Sequence, residues 1–354
     1  MDEAAEALDR AAAILRGGGL VALPTETVYG LGANALDPAA VARIFAAKER
    51  PAWDPVIVHI AGSDSKLDKG AAMLAQLVGE IPEAARLLAQ SLIDTFWPGP
   101  LTLLLPRSAA VPDAVTAGRP LVGVRMPAHP VALELIRRAQ VPVAAPSANR
   151  FGRISPTTAE HVLEELDGRI DAVLDAGPAT HGVESTVLDP CRTPMVIYRP
   201  GAVTAAQIEQ IAGPVEYFQS SGNFAQTPGE ALPSPGVGLR HYAPKAQLVL
   251  VSAPLHELGR MLAGTALERT GERVGIMLPS EVDLTLQTAR IYPWGRWSAP
   301  EELAHHLYAG LRALDAQGCT VILCPVPPGE GIGAAIRDRL LKAAQPPTAR
   351  PSKN

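Results

Sequence analysis

The sequence predicts an α/β protein: a twisted mixed sheet with flanking helices, then a linker and a small parallel α/β domain. Three observations predict it. Short apolar runs bounded by Gly or Pro recur through the first two hundred residues, as buried strands do. Capped amphipathic stretches lie between them at irregular intervals, with several strands in succession, which suits a mixed sheet better than a repeating parallel one. Beyond residue 245 strands and helices alternate regularly, the pattern of parallel α/β units.

In chain order, residues 2–16 form a helix pattern ended by Gly17-Gly18-Gly19. Residues 20–23 are an apolar run that stops at Pro24, followed by the polar turn Thr25, Glu26, Thr27, Tyr29 and then Gly30 and Gly32. Asp37 and Pro38 are a cap and a first helical residue, opening a helix to Lys48. Residues 55–60, PVIVHI, read as a buried strand. Helices follow at 71–77 and 82–95, with strands at 101–105, 121–125, 141–144, 172–174, 186–189 and 196–198. Further helices fill 130–139, 157–166 and 204–211. Residues 219–239 hold one charge, Glu230, among many Ser, Gly and Pro, and read as a linker. Strands at 247–251, 273–278 and 320–324 then alternate with helices at 254–263, 300–315 and 332–344, before a frayed tail. The domain reading is therefore 1–215, a linker 216–245, a second domain 246–345 and a tail 346–354.

The chain has 354 residues, enough for two domains, and 47% hydrophobic residues, enough for a core in each. A net charge of −5 argues against a strongly basic nucleic-acid surface and leaves room for a local basic cleft. Cys191, Cys319 and Cys324 form no C-x-x-C pair and suit a reducing cytosol. The acidic N-terminus is unlike a signal peptide, and no apolar stretch is long enough to span a membrane, so a cytoplasmic location without membrane contact is expected.

The candidate chemistry sits at strand ends. Lys48 and Arg50 lie at a helix end before a proline-stiffened loop. There a lysine can serve the helix dipole, or the two cations can clamp a phosphate. His59 lies inside the PVIVHI strand. Arg125 ends the strand in VGVRMP, where an unpaired buried charge would be costly, so a protein carboxylate or an anionic ligand must meet it. Small residues at 144–146 lead to Ser147 and Asn149, whose hydroxyl and amide offer directed hydrogen bonds beside a backbone open to a ligand. Ser155 to Thr158 cap the next helix, Gly182 to Thr186 precede a strand, and Arg199 ends one. Together Thr27, Arg125, Ser147 and Arg199, with Lys48 and Arg50 before His59, describe a cleft for a polyphosphate and a small polar molecule. No G-x-x-x-x-G-K-[ST] and no post-strand G-x-G-x-x-G occurs.

These segments resemble the Sua5/YrdC family, the L-threonylcarbamoyladenylate synthases of tRNA t6A biosynthesis. The matching stretches are PTETVYGLGAN (24–34), KERP with Pro55 and His59, FWPGPLTLLL (96–105), VRMPAHP (124–130), APSAN (145–149), SPTTA (155–159), GVEST (182–186) and RPG (199–201). The stretch SPGVGLRHYAPKAQLVLV (234–251) resembles the linker and added domain of the long Sua5 form. The resemblance implies a YrdC-like sheet followed by a small Rossmann-like C-terminal domain. It implies a nucleotidyltransferase that joins L-threonine, bicarbonate or CO2 and ATP into threonylcarbamoyl-AMP, releasing pyrophosphate. The product would pass to a separate tRNA threonylcarbamoyl transferase complex, without strong direct tRNA binding by this chain. Residue by residue, it implies that Thr27, His59, Arg125, the backbone at Ala145, and Ser185 hold threonine. It implies that Arg50, the backbone near Asp54 and Leu121, Ser147, Asn149, Ser155 and Arg199 hold ATP, with Lys48 adding charge at the triphosphate and the linker closing as a lid. Mg²⁺ is expected with the nucleotide, held mostly by phosphates and water, and no residue is expected to act as a nucleophile. Leu239 stands where a tyrosine often covers the nucleotide in relatives, and leucine offers only apolar contact there. Two other readings stay open: a carbamoyl-transfer enzyme of the same fold, which belongs to longer chains with zinc-finger segments, and an RNA-binding module, which the acidic balance disfavours.

Overall fold

The computed structural model describes residues 3–63, 70–219, 231–234, 236–237 and 241–346. Its described residues cluster into two units, the first running to Phe151 and from Ser155 to Val237, the second holding Gly152–Ile154 and the residues from His241 onward.

The first unit contains strands β1 (Val21–Leu23), β2 (Gly30–Asn34), β3 (Ile57–His59), β4 (Leu101–Pro106), β5 (Leu121–Arg125), β6 (Val143–Ala144), β7 (Ala172–Val173), β8 (Thr186–Asp189), β9 (Met195–Arg199) and β10 (Val215–Tyr217). Its helices are α1 (Glu3–Arg16), α2 (Pro38–Lys48), α3 (Ala71–Leu77), α4 (Glu83–Phe96), α5 (Asp113–Thr116), α6 (Pro130–Ala139), α7 (Ala159–Leu166) and α8 (Ala205–Ala212). The strands form one mixed sheet in the order β10-β9-β8-β4-β5-β3-β6-β2-β1-β7, as the irregular interleaving predicts. β2, α5 and β10 are additions to that reading. β2 reads as a polar turn because of Gly30 and Gly32, yet it pairs antiparallel with both β1 and β6. At Gly32 a Cβ would come within 2.9 Å of both Leu23 and Val143, so only the two neighbouring strands reveal why glycine belongs there.

Strand alternation divides the sheet into two faces. On one face Val58, Leu103, Leu105, Val122, Val124, Leu188 and Ile197 meet the buried sides of α2, α4, α7 and α8. On the other, α1 and α6 cover the β1–β2–β6 part, packing Leu15, Leu135 and Ile136 against Val21, Leu23 and Val143. The rest of that second face carries Ile57, Leu104, Val187, Val196 and Tyr198, and what lies on it is Leu121, Phe218 and Val237. His59 and Arg125 follow Ile57 and Gly123 by alternation and so project on this same side, where β3 and β5 run parallel with His59 opposite Arg125.

The second unit holds a four-stranded parallel sheet, order β11-β14-β12-β13. Its strands are β11 (Gln247–Val251), β12 (Val274–Pro279), β13 (Ala289–Gly295) and β14 (Val321–Pro325), with helices α9 (Leu255–Leu267), α10 (Pro300–Ala316) and α11 (Gly333–Ala343). β13 escapes a reading by pattern because it is an exposed edge strand containing Pro293, a residue tolerated at sheet edges. Tyr242 is buried in this unit, stacked on Tyr308 with ring centroids 5.8 Å apart and with the Arg339 guanidinium 5.2 Å over its ring. Cys191, Cys319 and Cys324 are free thiols. Among the described residues no helix is long and apolar enough to cross a membrane.

The α2 cap is as the sequence predicts: the Asp37 carboxylate accepts from the Ala39 N–H at 2.9 Å, with Pro38 in the first turn. Since α2 delivers Lys48 to the site, its N-terminus is a fair test of the fold. Asp37→Ala is expected to lower stability by about 1 kcal/mol, read as a lower denaturant midpoint with an unchanged slope.

Candidate active site

The polar turn after β1 is fixed from within. Thr25 Oγ1 donates to the Val28 carbonyl at 2.6 Å and accepts the Thr27 and Val28 N–H groups at 3.2 Å each. This local knot turns Glu26 and Thr27 inward, and both are buried. Arg125, at the end of β5, reaches both of them. Its Nη1 donates to Thr27 Oγ1 at 3.0 Å, its Nε to the Gly99 carbonyl at 3.1 Å, and its Nη2 lies 2.5 Å from Glu26 Oε1. Burial pushes the Glu26 carboxyl up, but the Arg125 guanidinium outweighs it and holds the group below the usual carboxylate range. Arg125 thus already has a protein carboxylate, one of the two partners that the sequence left open. Glu26 is the site residue that sequence reasoning passed over. The signal was present, because a buried arginine needs a carboxylate and Glu26 is the acid adjacent to Thr27.

His59 lies beside this pair, buried, and burial together with the nearby Arg125 charge pushes its pKa down to about 3. It is therefore a neutral imidazole at physiological pH. At Ala145 the amide donates to the Ile57 carbonyl at 2.9 Å inside the sheet, so of its backbone groups the N–H is already engaged. Ser185 Oγ shares a hydrogen bond with Thr102 Oγ1 at 2.8 Å and accepts from Arg199 Nη2 at 3.2 Å, while Arg199 Nε donates to the Ser185 carbonyl at 3.1 Å. Ser185 therefore ties β4, through Thr102, to Arg199 at the end of β9. Thr102, the one polar residue in the LTLLL run, is a second member that pattern reading missed. Gly201 is required here, since a Cβ would sit 2.3 Å from the Thr186 nitrogen; the chain after Arg199 passes directly over the 185–186 backbone.

The cationic end is built around Asp54. Arg50 Nη2 pairs with Asp54 Oδ2 at 3.0 Å, and the guanidinium also donates to the Asp54 and Pro55 carbonyls at 3.1 and 2.6 Å. Burial lifts the Asp54 carboxyl above its ordinary range, against the pull of Arg50, Lys48 and Arg199. Lys48 is buried beside them. Its ammonium donates to the carbonyls of Ser147 and Asn149, so it holds the 145–149 loop in place from below. Burial and the nearby Arg50 charge push its pKa well down. Arg199, also buried, makes no ion pair among the described residues. Three cations thus surround one carboxylate.

Ser155 Oγ donates to Glu184 Oε1 at 2.6 Å, beside Ser185. Leu121 lies on the apolar patch with Tyr198 and Phe218. The linker comes to this side: Leu232 donates its N–H to the Trp53 carbonyl at 2.9 Å, Ser234 is fully buried, and Val237 rests on the patch. Leu239 lies outside the described residues. No three His, Cys, Asp or Glu side chains converge on a metal-binding position among the described residues.

A buried polar set around Arg125 and a cation-rich set around Asp54, on an α/β sheet with an apolar patch, define the class: an α/β protein built to hold small anionic and polar molecules. A family model described as telomere recombination, covering Sua5, YciO and YrdC proteins, matches residues 13–201, and one for the threonylcarbamoyl-AMP synthase C-terminal domain matches 203–345. The threonylcarbamoyl-AMP synthase of Pyrococcus abyssi is 42% identical, the match spanning 94% of this chain and 93% of its own. That of Bacillus subtilis is 41% identical over 95% and 92%. The crystal structure of P. abyssi Sua5 complexed with L-threonine superposes with a TM-score of 0.84 at 41% identity, covering 95% and 94% of the two chains. The chain belongs to the Sua5/YrdC family, in its long Sua5 form with the C-terminal domain, and is a threonylcarbamoyl-AMP synthase.

The depressed His59 pKa has a measurable consequence. A folded state that refuses a proton which the unfolded chain accepts loses stability as pH falls below the ordinary histidine range. Stability is expected to be full above pH 6.5 and to drop by about 2 kcal/mol from this group by pH 5. His59→Gln should flatten the dependence of the urea midpoint on pH over that interval. An unchanged dependence would mean that His59 is charged in the folded protein.

Proposed function

We propose that this cleft binds L-threonine at the Glu26–Arg125 end and ATP at the Asp54–Arg199 end, and that bicarbonate or CO2 joins them. Threonine's amine forms a carbamate, whose oxygen attacks the α-phosphorus of ATP. The bond to the β-phosphate breaks and pyrophosphate leaves. The single observation that supports this reading is a pair of buried arginines on one sheet, Arg125 in its polar set with Glu26 and Thr27, and Arg199 on the hydroxyl and carbonyl of Ser185. It offers one guanidinium for a small carboxylate and a second, without an ion pair among the described residues, for a phosphate.

Threonine's carboxylate takes Arg125 in part from Glu26, and the freed Glu26 oxygen receives the ammonium before it is carbamoylated. Thr27 and neutral His59 complete that end. The adenine rests on the apolar patch of Leu121, Tyr198 and Phe218, with Val237 and the linker over it as a lid. The phosphates meet Arg199, Arg50, Ser147, Asn149 and Ser155, while Lys48 keeps the 145–149 loop in position. Such a site works by positioning and by charge neutralisation. Mg²⁺ travels with the nucleotide, and none of these roles depends on a protein ligand for it. The product goes on to a separate tRNA threonylcarbamoyl transferase, and this chain needs no strong tRNA affinity of its own.

Pure protein given ATP, L-threonine and bicarbonate is expected to release pyrophosphate only when threonine is present; threonine-independent release would sink the reading. Arg125→Ala should raise the threonine requirement at least tenfold while shifting the ATP requirement less than threefold. Glu26→Gln should act in the same direction as Arg125→Ala. Arg199→Ala should do the reverse, and equal effects on both substrates in either arginine variant would mean that the two ends are wrongly assigned.

A further inference from the structure

The second unit carries a crevice that the reaction above does not use. β11 and β14 are parallel neighbours. The chain leaving β11 enters α9, whose Leu258 and Leu262 pack against Val251, Val321 and Leu323 on one face of the sheet. The chain leaving β14 enters α11, which packs beside α10. α10 lies on the other face, where its Gly310 meets the side chain of Met277, a residue that alternates with Val274 and Ile276 of the α9 side. Two adjacent strands thus send their chains to opposite faces. In open α/β sheets that divergence splits the loops apart beyond the strand ends and leaves a crevice where ligands settle.

A cavity of about 500 Å³ lies at that place, lined by Ser252 to Leu255 after β11, Val326 to Pro328 after β14, Trp297 and Arg337. This is the size of a small-molecule site. Its chemistry is uneven. Arg337 is its one charged side chain. It donates to the Pro327 carbonyl at 3.2 Å and makes no ion pair among the described residues. It lies over Gly329, where a Cβ would stand 3.3 Å from its Cδ. Two nearby carboxylates are turned elsewhere, Glu257 to Arg260 at 3.3 Å and to His256 at 3.7 Å, and Asp338 to Arg339 at 2.6 Å and Lys342 at 2.7 Å, while Glu281 accepts the Trp297 N–H at 2.7 Å and the Ser298 N–H at 3.1 Å. Three prolines stiffen the walls and remove backbone donors, and the half-buried Trp297 presents a ring. One cation, one aromatic ring and apolar walls suit a flat ring that carries a phosphate.

We propose that this crevice binds a nucleoside diphosphate, with the phosphates on Arg337 and the base against Trp297. The site is separate from the catalytic cleft and does not depend on the roles assigned there. Equilibrium dialysis of the full chain against ADP, counting nucleotide bound per chain, tests it. Arg337→Glu is expected to bind one ADP fewer than the wild type and Arg337→Lys the same number, while Trp297→Ala binds that ADP at least tenfold more weakly. Threonine-dependent pyrophosphate release stays within twofold of wild type in Arg337→Glu, and Arg199→Ala keeps the ADP that Arg337→Glu loses. Equal ADP binding by the wild type and Arg337→Glu, or loss of that same ADP in Arg199→Ala, would overturn the assignment.

Discussion

The first unit depends on one buried guanidinium. Arg125 joins three segments distant in sequence: the turn after β1 through Thr27 and Glu26, the loop before β4 through the Gly99 carbonyl, and β5 itself. Withdrawing a charge of this kind from water is costly, and removing one partner of a buried pair costs about 3–5 kcal/mol. The arrangement is tolerable because the guanidinium has a carboxylate beside Nη2 and oxygen acceptors at Nε and Nη1. The same economy makes it a binding device, since a second carboxylate can enter only by sharing what Glu26 holds.

The cationic end is organised on the opposite principle. Around Asp54 the cations outnumber the carboxylates, so Arg50 and Lys48 are occupied by protein oxygens while Arg199 keeps only the oxygens of Ser185. Burial strengthens each of these interactions by lowering the local dielectric. Ser185 shares hydrogen bonds with Thr102 and Arg199, so a chain of hydroxyls leads from β4 to that arginine. The open half of the sheet face explains why the linker comes here: Ile57, Leu104, Val187 and Tyr198 would otherwise present apolar surface to water, and Phe218 and Val237 cover them.

The two units use their sheets differently. In the first, β3 is only three residues long and central, so strand ends and faces come close together and the site occupies a face. In the second, parallel strands of five to seven residues place their loops at one end, and the crevice lies beyond the strands. One chain thus holds two distinct solutions to placing polar groups against an apolar sheet.

The sequence by itself determined the elements that rest on local chemistry. Asp37-Pro38 set the start of α2, Thr204 the start of α8, and the apolar runs at 101–105 and 121–125 set β4 and β5. It also determined the family, because motifs from Pro24 to Gly201 occur in order, and most of the residues that the cleft brings together. What it could not determine depends on pairing across space. β2 hides behind glycines that only Leu23 and Val143 explain. The Ala145 amide is committed to the Ile57 carbonyl, a pairing no local pattern shows. The Lys48 ammonium lies on the carbonyls of Ser147 and Asn149, about a hundred residues on. Glu26 was visible all along within TETVYG, but its meaning lay with Arg125, ninety-nine residues away. A residue's chemistry is written in the chain, but its partner is chosen by the fold, because a buried charge or amide must be satisfied by whichever group the sheet brings near.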